Sequence, residues 1–499
     1  MRYQIKEALG IIQKQATQST IVSLIGTAVG AISQVMLPFI FEEEDQIGAL
    51  SLLNSISKIF ATIFTLGFAQ ITLQVFSSFR NDEKGHSGFL MFAILYSIAG
   101  AAVGLLTFYI FHDFFVGVGD EYQLIRSISY LIFPIIFFKI FFANLDAYMR
   151  MLFASVVGIF WEGLMLKVGI LIGVFMFWLG WIDFQYTAYV YSFALSLPGI
   201  ALIYLTFKRT SVIQMPERSL FGKDKRSAII SYGVYGILGA ASSILVVSID
   251  QVMLNKMVGT DAVGVYSVLF FAGMLISIPA RGIKRISASV LSESWKKDDR
   301  DNIQLVYEKS VNNQTAIGVY LFVVGWLCIE PALTYLPDYQ YALYVFFFVG
   351  LGQLFDMMTG INSEIIATSS AYRMNTYFNI ALAALVIGLN FFFIQRWTVV
   401  GAAAASALAM FVINIVRWIY LKRAFNFQPF DSKVIWQLIT GAVLVVVFKL
   451  LPIPVNPLSQ MVIYTIIVTV IFWAITFKLN LAPDLKKWWL KIKAMTPLS

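Results

Sequence analysis

Apolar residues run along this chain in blocks of roughly 18–30, each closed by a short polar stretch. A helix rising 1.5 Å per residue needs about 20 such residues to cross some 30 Å of hydrocarbon. Barrel strands would instead alternate with period two over segments about half as long, and no block here does so. The pattern predicts fourteen membrane-crossing helices, at about 17–40, 47–76, 88–111, 123–148, 151–179, 186–207, 228–254, 262–292, 312–333, 340–368, 372–394, 399–421, 434–451 and 459–478. The narrowest division is at 146–151, where only "DAYMRM" separates two spans.

The polar stretches alternate in character. "FEEEDQ", "HDFFVGVGDEYQ", "GWIDFQ", "NKMVGTDA", "PDYQ", "QRW" and "PIPVNPLSQ" are acidic or nearly uncharged. The other set holds Arg2, Lys6 and Lys14, then "FRNDEKG", "KRTSVIQMPERSLFGKDKR", "WKKDDRDN", "KRAFNFQPFDSK" and the tail "KKWWLKIK". Lys and Arg mark cytoplasmic loops, so an even span count puts both termini on the cytoplasmic side. The lead-in "MRYQIKEALGIIQKQATQ" is amphipathic, and the first span is expected to act as an uncleaved targeting signal. The tail reads as an amphipathic helix facing anionic lipid.

Composition sharpens this. Of 499 residues, 59% are hydrophobic and 13% charged, with mean hydropathy +0.78; soluble domains carry about 25% charged residues. The net charge of +8 does not point to nucleic acid, because the cations are dispersed among apolar spans and gather in every second loop. Cys328 is the lone cysteine, so no intrachain disulfide can form. His86 and His112 lie at loop edges without metal-ligand spacing, and no Gly-rich phosphate loop occurs. No Ser/His/Asp or Cys/His grouping is visible within the membrane. The reading is therefore a non-enzyme without metal or cofactor, coupled if at all to H⁺ or Na⁺.

Three short matches recur at nearly one offset. "IGALSLL" (47–53) is similar to "VGVYSVL" (263–269), "AYMRM" (147–151) to "AYRM" (371–374), and "KR" (208–209) to "KR" (422–423). They predict two pseudo-symmetric six-helix bundles, 1–207 and 228–421, joined by a cytoplasmic linker at 208–227. A helix pair at 434–478 and a basic cytoplasmic tail at 479–499 follow. Parallel repeats of this kind build transporters in which one bundle rocks against the other. Pro38, Pro134, Pro198 and Pro279 lie within spans and permit bends, although membrane helices tolerate proline in any case.

This layout resembles the superfamily of multidrug (MATE) exporters, lipid II flippases and polysaccharide flippases. Within it, "SIDQVMLNKMVGTDAVGVYSVLFFAGMLISIPARGIKRISASVLSE" (248–293) is similar to the O-antigen and polysaccharide (Wzx-type) branch, with Gly259, Gly264, Tyr266 and Ser267 carrying the turn. The resemblance implies an all-α, MATE-like membrane fold. It implies a flippase moving a polyprenyl-pyrophosphate-linked glycan between leaflets by alternating access. Membrane lipids, a polysaccharide polymerase or glycosyltransferases are the partners it suggests. A lipid II flippase and a multidrug/cation antiporter are the alternatives. A membrane-embedded glycosyltransferase would need a larger outer domain than loops of about 20 residues supply.

Ionisable side chains at membrane depth are costly and mark wet cavities or partners. Lys58, Lys139, Lys167, Arg281, Lys284 and Arg285 are the candidate cations, and their excess suits a pyrophosphate. Arg281, Lys284 and Arg285 recur at i, i+3 and i+4, on one helical face. The same three also satisfy the positive-inside pattern by snorkelling to headgroups. Lys139 and Asp146, spaced i, i+7, are candidates to neutralise one another, as is Lys58 with Glu162 or Asp356. Glu162, Asp356 and Asp250 are the candidate ion-coupling carboxylates; Glu162 and Asp356 read equally as salt-bridge partners, and Asp250, at a helix end, reads first as a structural partner or cap.

Overall fold

The structure, a computed structural model, describes residues 2–41, 43–76, 85–152, 154–209, 214–216 and 223–495. The basic stretches at 79–84 and at 210–213 and 217–222 lie outside the described residues. Every regular element among the described residues is helical. Thirteen helical stretches are long and apolar enough to cross a membrane, and the chain is a multi-pass membrane protein.

The chain divides into two compact units, 1–268 and 269–499. The first unit runs α1 (Arg2–Ile40), α2 (Glu44–Phe64), α3 (Phe68–Val75), α4 (Phe89–Ile110), α5 (His112–Val116), α6 (Gln123–Ile128), α7 (Ile132–Met151), α8 (Ser155–Phe160), α9 (Leu166–Trp178), α10 (Phe184–Arg209) and α11 (Lys223–Met257). The boundary falls inside α12 (Thr260–Met274). The second unit continues through α13 (Ile278–Lys296), α14 (Arg300–Leu333), α15 (Leu343–Met358), α16 (Asn362–Thr368), α17 (Tyr372–Phe425), α18 (Ser432–Leu450), α19 (Pro457–Lys478) and α20 (Pro483–Met495).

Several spans are interrupted rather than straight. Span two breaks between α2 and α3, where Leu66 and Gly67 have φ of 52° and 70°. A 3₁₀ turn at Ser129–Leu131 precedes α7, and another at Leu275–Ser277 precedes α13. Pro134 and Pro279 sit in the first turns that follow, where a missing amide donor costs little. Between α8 and α9 the helix widens to a π turn at Trp161–Met165. Single π turns commonly mark functional positions.

The 54 residues of α17 would reach about 80 Å if straight. Instead Thr398 has φ 47° and ψ −124°, and the chain folds back on itself. The rings of Phe378 and Tyr420 lie 5.5 Å apart, and Arg417 Nη2 donates to Asn379 Oδ1 at 2.6 Å. The stretch thus contributes two antiparallel legs, on either side of the predicted "QRW" turn.

Polar loop residues start the later helices by taking up unsatisfied amides. Asp299 accepts from Asn302 N (3.0 Å), Asp431 from Lys433 N (2.9 Å), and Asn456 from Ser459 N (2.8 Å) ahead of Pro457. Beneath these caps the cores are apolar. In the first unit Phe68, Phe89, Phe92 and Tyr148 pack α3, α4 and α7 together. In the second, Val319, Phe322 and Val323 of α14 meet Phe448 of α18 and Val468 and Phe472 of α19.

One crossing in the first unit is unusually close. A Cβ added to Gly48 would lie 1.9 Å from Thr260 O, and one added to Gly264 would lie 1.9 Å from Glu44 O. Residues 44 and 48 therefore meet 260 and 264 reciprocally, each pair 216 positions from its counterpart. The matched strings "IGALSLL" and "VGVYSVL" thus meet through their glycines.

Candidate functional site

The charges within the spans gather into two clusters, one in each unit. The first is built on α2 and α7. Ile135, Ile136 and Ile140 of α7 are fully buried, and Lys139 extends toward α2. Its ammonium donates to Asn54 Oδ1 at 2.8 Å, to Ser57 Oγ at 3.1 Å and to Asn54 O at 3.5 Å. These acceptors are all neutral. Asn54, Ser57 and Lys58 share one face of α2 at i, i+3 and i+4. Nearly every other residue from Ile47 to Ala61 is buried, yet Lys58 is exposed. Lys58 lies within electrostatic range of Lys139.

Glu162, on the π turn, is also reachable by water although protein surrounds it on most sides. Asp146, Lys139, Lys58 and Arg150 are its charged neighbours. Lys167 of α9 lays its stem against α1, where a Cβ on Gly30 would come within 3.0 Å of Cδ. Asp146 is taken up by Arg150, 2.9 Å away at i+4. The neutralisation of Lys139 by Asp146 that their spacing allows is therefore not what the fold uses; helical geometry gives Asp146 a nearer partner one turn on. Lys58 and Lys139 lie within electrostatic range of Glu162, and Asp146 is taken up by Arg150.

The second cluster is balanced. Lys284 of α13 donates to Asp356 of α15 at 2.6 Å, with each side chain about one-fifth exposed (20% and 19%). Arg417 and Glu364 lie within electrostatic range of this pair. Arg417 is buried, with Nη2 on Asn379 and Nε without an acceptor among the described residues. Lys284 and Arg417 thus match Asp356 and Glu364 in number. Arg281 and Arg285 remain on the exposed side of α13, whose opposite side buries Ala280, Ser287, Leu291 and Ser294. The predicted stripe of three cations is therefore split. Lys284 is held by a carboxylate, and the two arginines face outward.

Asp250 stands apart from both clusters. It is 1% exposed and accepts from Tyr266 Oη at 2.7 Å, joining α11 to α12. Of the three carboxylates considered for ion coupling, Asp250 is buried on Tyr266 and Asp356 is held by Lys284, whereas Glu162 is exposed, with Lys58 and Lys139 in range. A polar relay beside Asp250 serves the same joint. Ser55 donates to Gln251, which donates to Ser267 Oγ at 3.0 Å, tying α2, α11 and α12.

Sequence reasoning missed the ligands of Lys139, although "NSISK" (54–58) carried the signal as polar residues on one face of an apolar helix. It also missed a Ser/His/Asp grouping. His112 Nδ1 lies 3.0 Å from Asp113 Oδ1 and Nε2 lies 2.9 Å from Ser129 Oγ. Ser129 is buried and its hydroxyl is turned to the Arg126 carbonyl at 2.9 Å, so this group offers no accessible nucleophile. Its chemistry is electrostatic. The His112 hydrogen bond, with Arg126 beside it, holds the Asp113 carboxyl below its ordinary value of 3.8.

Comparison with known proteins agrees with this picture. Residues 13–291 match the family described as "Polysaccharide biosynthesis protein". The chain is 23% identical over 286 residues to an uncharacterized membrane protein of Methanocaldococcus jannaschii, covering 54% of this chain and 53% of that protein. It is 22% identical over 181 residues to the capsular polysaccharide biosynthesis protein CapF of Staphylococcus aureus, covering 36% and 45%. The chain thus spans about half the length of the curated relatives it matches. Among solved structures, the lipid II flippase MurJ in its inward closed conformation superposes with a TM-score of 0.74 at 13% identity, over 92% of this chain and 98% of that one. An inward-facing multidrug resistance MATE family transporter of the MOP superfamily superposes with 0.63 at 15%, over 81% and 98%. These likenesses show that the chain has the fold of the MurJ and MATE structures.

Proposed function

Because the chain belongs to the polysaccharide biosynthesis protein family and has the fold of MOP-superfamily transporters, we propose that it flips a polyprenyl-pyrophosphate-linked oligosaccharide. Transfer would run from the cytoplasmic to the outer leaflet of a bacterial inner membrane, for surface polysaccharide assembly, by alternating access. Lys139 is the observation that carries this reading. Its ammonium is held by neutral oxygens of Asn54 and Ser57 and is not cancelled by a carboxylate hydrogen bond. Such an ammonium can exchange its weak acceptors for phosphate oxygens, which bind a point charge more strongly. Lys58 lies in electrostatic range of Lys139, Lys167 is a further candidate cation of the first unit, and Arg281 and Arg285 present exposed cations in the second. Glu162, an exposed carboxylate with Lys58 and Lys139 in range, supports coupling to a proton or Na⁺.

Lipid II shares the pyrophosphate carrier, so a lipid II flippase is the second reading. A multidrug/cation antiporter would want the opposite polarity.

The test is ligand-induced thermal stabilisation of the purified protein in detergent. An undecaprenyl-pyrophosphate glycan is compared with lipid II and with lipophilic cations, for the native chain, Lys139→Ala and Arg281→Ala. Stabilisation by the glycan lipid that disappears in Lys139→Ala is the expected result. Stabilisation by cations alone, unaltered by either substitution, would overturn the proposal. A response to lipid II but not to the glycan lipid would move it to the second reading.

A further inference from the structure

We propose that a cavity where α2 meets α4 and α5 is a binding site for a bilayer phospholipid, taking one acyl chain inside and the phosphate on Lys256. The cavity measures about 370 Å³, within the range of roughly 300–1,000 Å³ usual for small-molecule sites. Ile59, Phe60, Ile63 and Phe64 of α2 form one wall, and Phe111 and Phe114 the other. The Phe60 ring stacks edge-on against Phe115 at 5.0 Å and closes the floor. Thr107 carries the one hydroxyl in the lining, and its Oγ1 donates back to Val103 O at 2.8 Å. The walls therefore offer nothing polar. A sugar or a peptide backbone would lose its hydrogen bonds there, whereas a hydrocarbon chain loses none.

The mouth suits a lipid too. Phe111 and Phe114 are 51% and 52% exposed, next to the outward side of α4 with its exposed Leu106, Tyr109 and Ile110. Lys256, at the end of α11, is exposed, with its ammonium 3.5 Å from the centroid of the Phe114 ring. The neighbouring charges cancel: Arg126 reaches Asp113 at 3.2 Å and the Gly117 carbonyl at 2.7 Å. An apolar pocket thus ends under a cation at a helix terminus, which is the charge and polarity sequence of an anionic phospholipid.

The transported lipid is not the occupant. At 100° per residue, Ile59, Phe60, Ile63 and Phe64 centre about 145° away from Asn54, Ser57 and Lys58 around α2. The cavity lies behind the helix whose front carries the lysine cluster. The site therefore stands whether or not the glycolipid reading holds.

The test is photolabelling of the full chain in phosphatidylglycerol vesicles doped with a phosphatidylglycerol carrying a diazirine near its acyl terminus. Adducts are expected to concentrate on 59–64 and 111–115. Ile63→Trp fills the cavity and should abolish them. Lys256→Gln alters only an exposed side chain and should lower them about five-fold, the factor that roughly one cation gives at an anionic surface. It keeps the test decisive should Ile63→Trp not fold. Adducts as abundant on Leu106 and Ile110, and unchanged in Lys256→Gln, would reduce the cavity to ordinary annular contact. Competition by a polyprenyl pyrophosphate but not by unlabelled phosphatidylglycerol would assign the cavity to the transported lipid and overturn the proposal.

Discussion

At the scale of single residues, the two clusters differ in what holds each cation. Lys139 rests on neutral oxygens, so Asn54→Asp should raise thermal stability by supplying a counter-ion and should abolish stabilisation by pyrophosphate lipids. Retained lipid stabilisation in that variant would detach Lys139 from the anion site. Lys284 already has its carboxylate. Lys284→Met or Asp356→Leu alone should destabilise by about 2–4 kcal/mol, a discount on the fully buried case because both groups are partly wetted, while the double substitution recovers most of the loss. A double-mutant cycle by chemical unfolding in detergent measures this. The Asp113 group at the end of α4 behaves differently again. Its carboxyl is held below 3.8 in the folded state, so its contribution is present above that pH and is lost as pH falls through the lower folded value. Hydrogen-exchange protection of 112–129 should accordingly be flat from about pH 8 to pH 5 and fall only in stronger acid. Which residues were ionisable and intramembrane was plain from the sequence. Which paired was not, because α13 meets α15 at a sequence separation of 72 residues and no local pattern encodes that meeting.

At the scale of elements, the spans were legible because hydrocarbon thickness imposes a minimum run of apolar residues. Their interruptions were only half legible. Pro134 and Pro279 signalled the 3₁₀ turns beside them, whereas the break at Leu66–Gly67 and the π turn at Trp161–Met165 arise from packing and leave no proline behind. Thr398 shows a local preference overridden by a fold-back. A β-branched residue occupies a φ/ψ region suited to glycine, so Thr398→Gly should stabilise the chain by about 1 kcal/mol in thermal unfolding. No gain, or a loss, would mean that the side chain is needed at the turn. The α2–α12 crossing makes a sharper demand. Gly48→Ala and Gly264→Ala each push a methyl against a backbone carbonyl, and should lower stability by similar amounts, about 3 kcal/mol. Markedly unequal losses would argue against a reciprocal contact.

At the scale of the whole molecule, the alternation of loop charge predicts the orientation in the membrane. Within the second unit, Lys449 pairs with Glu330 near the end of α14, while Gln304 near its start bonds the turn after Lys422 and Arg423 through Gln428. Lys422 and Arg423 thus lie toward the start of α14 and Lys449 by its end. In a Cys328→Ser background, an impermeant maleimide should label Val455→Cys in intact cells and Lys296→Cys only in inverted vesicles; the reverse would invert the topology. The meeting of Gly48 with Gly264 is reciprocal. A self-complementary contact is what two identical subunits make with one another. Here one polypeptide makes it with itself, so each glycine faces the other's helix and neither can gain a side chain without displacing a carbonyl across the crossing.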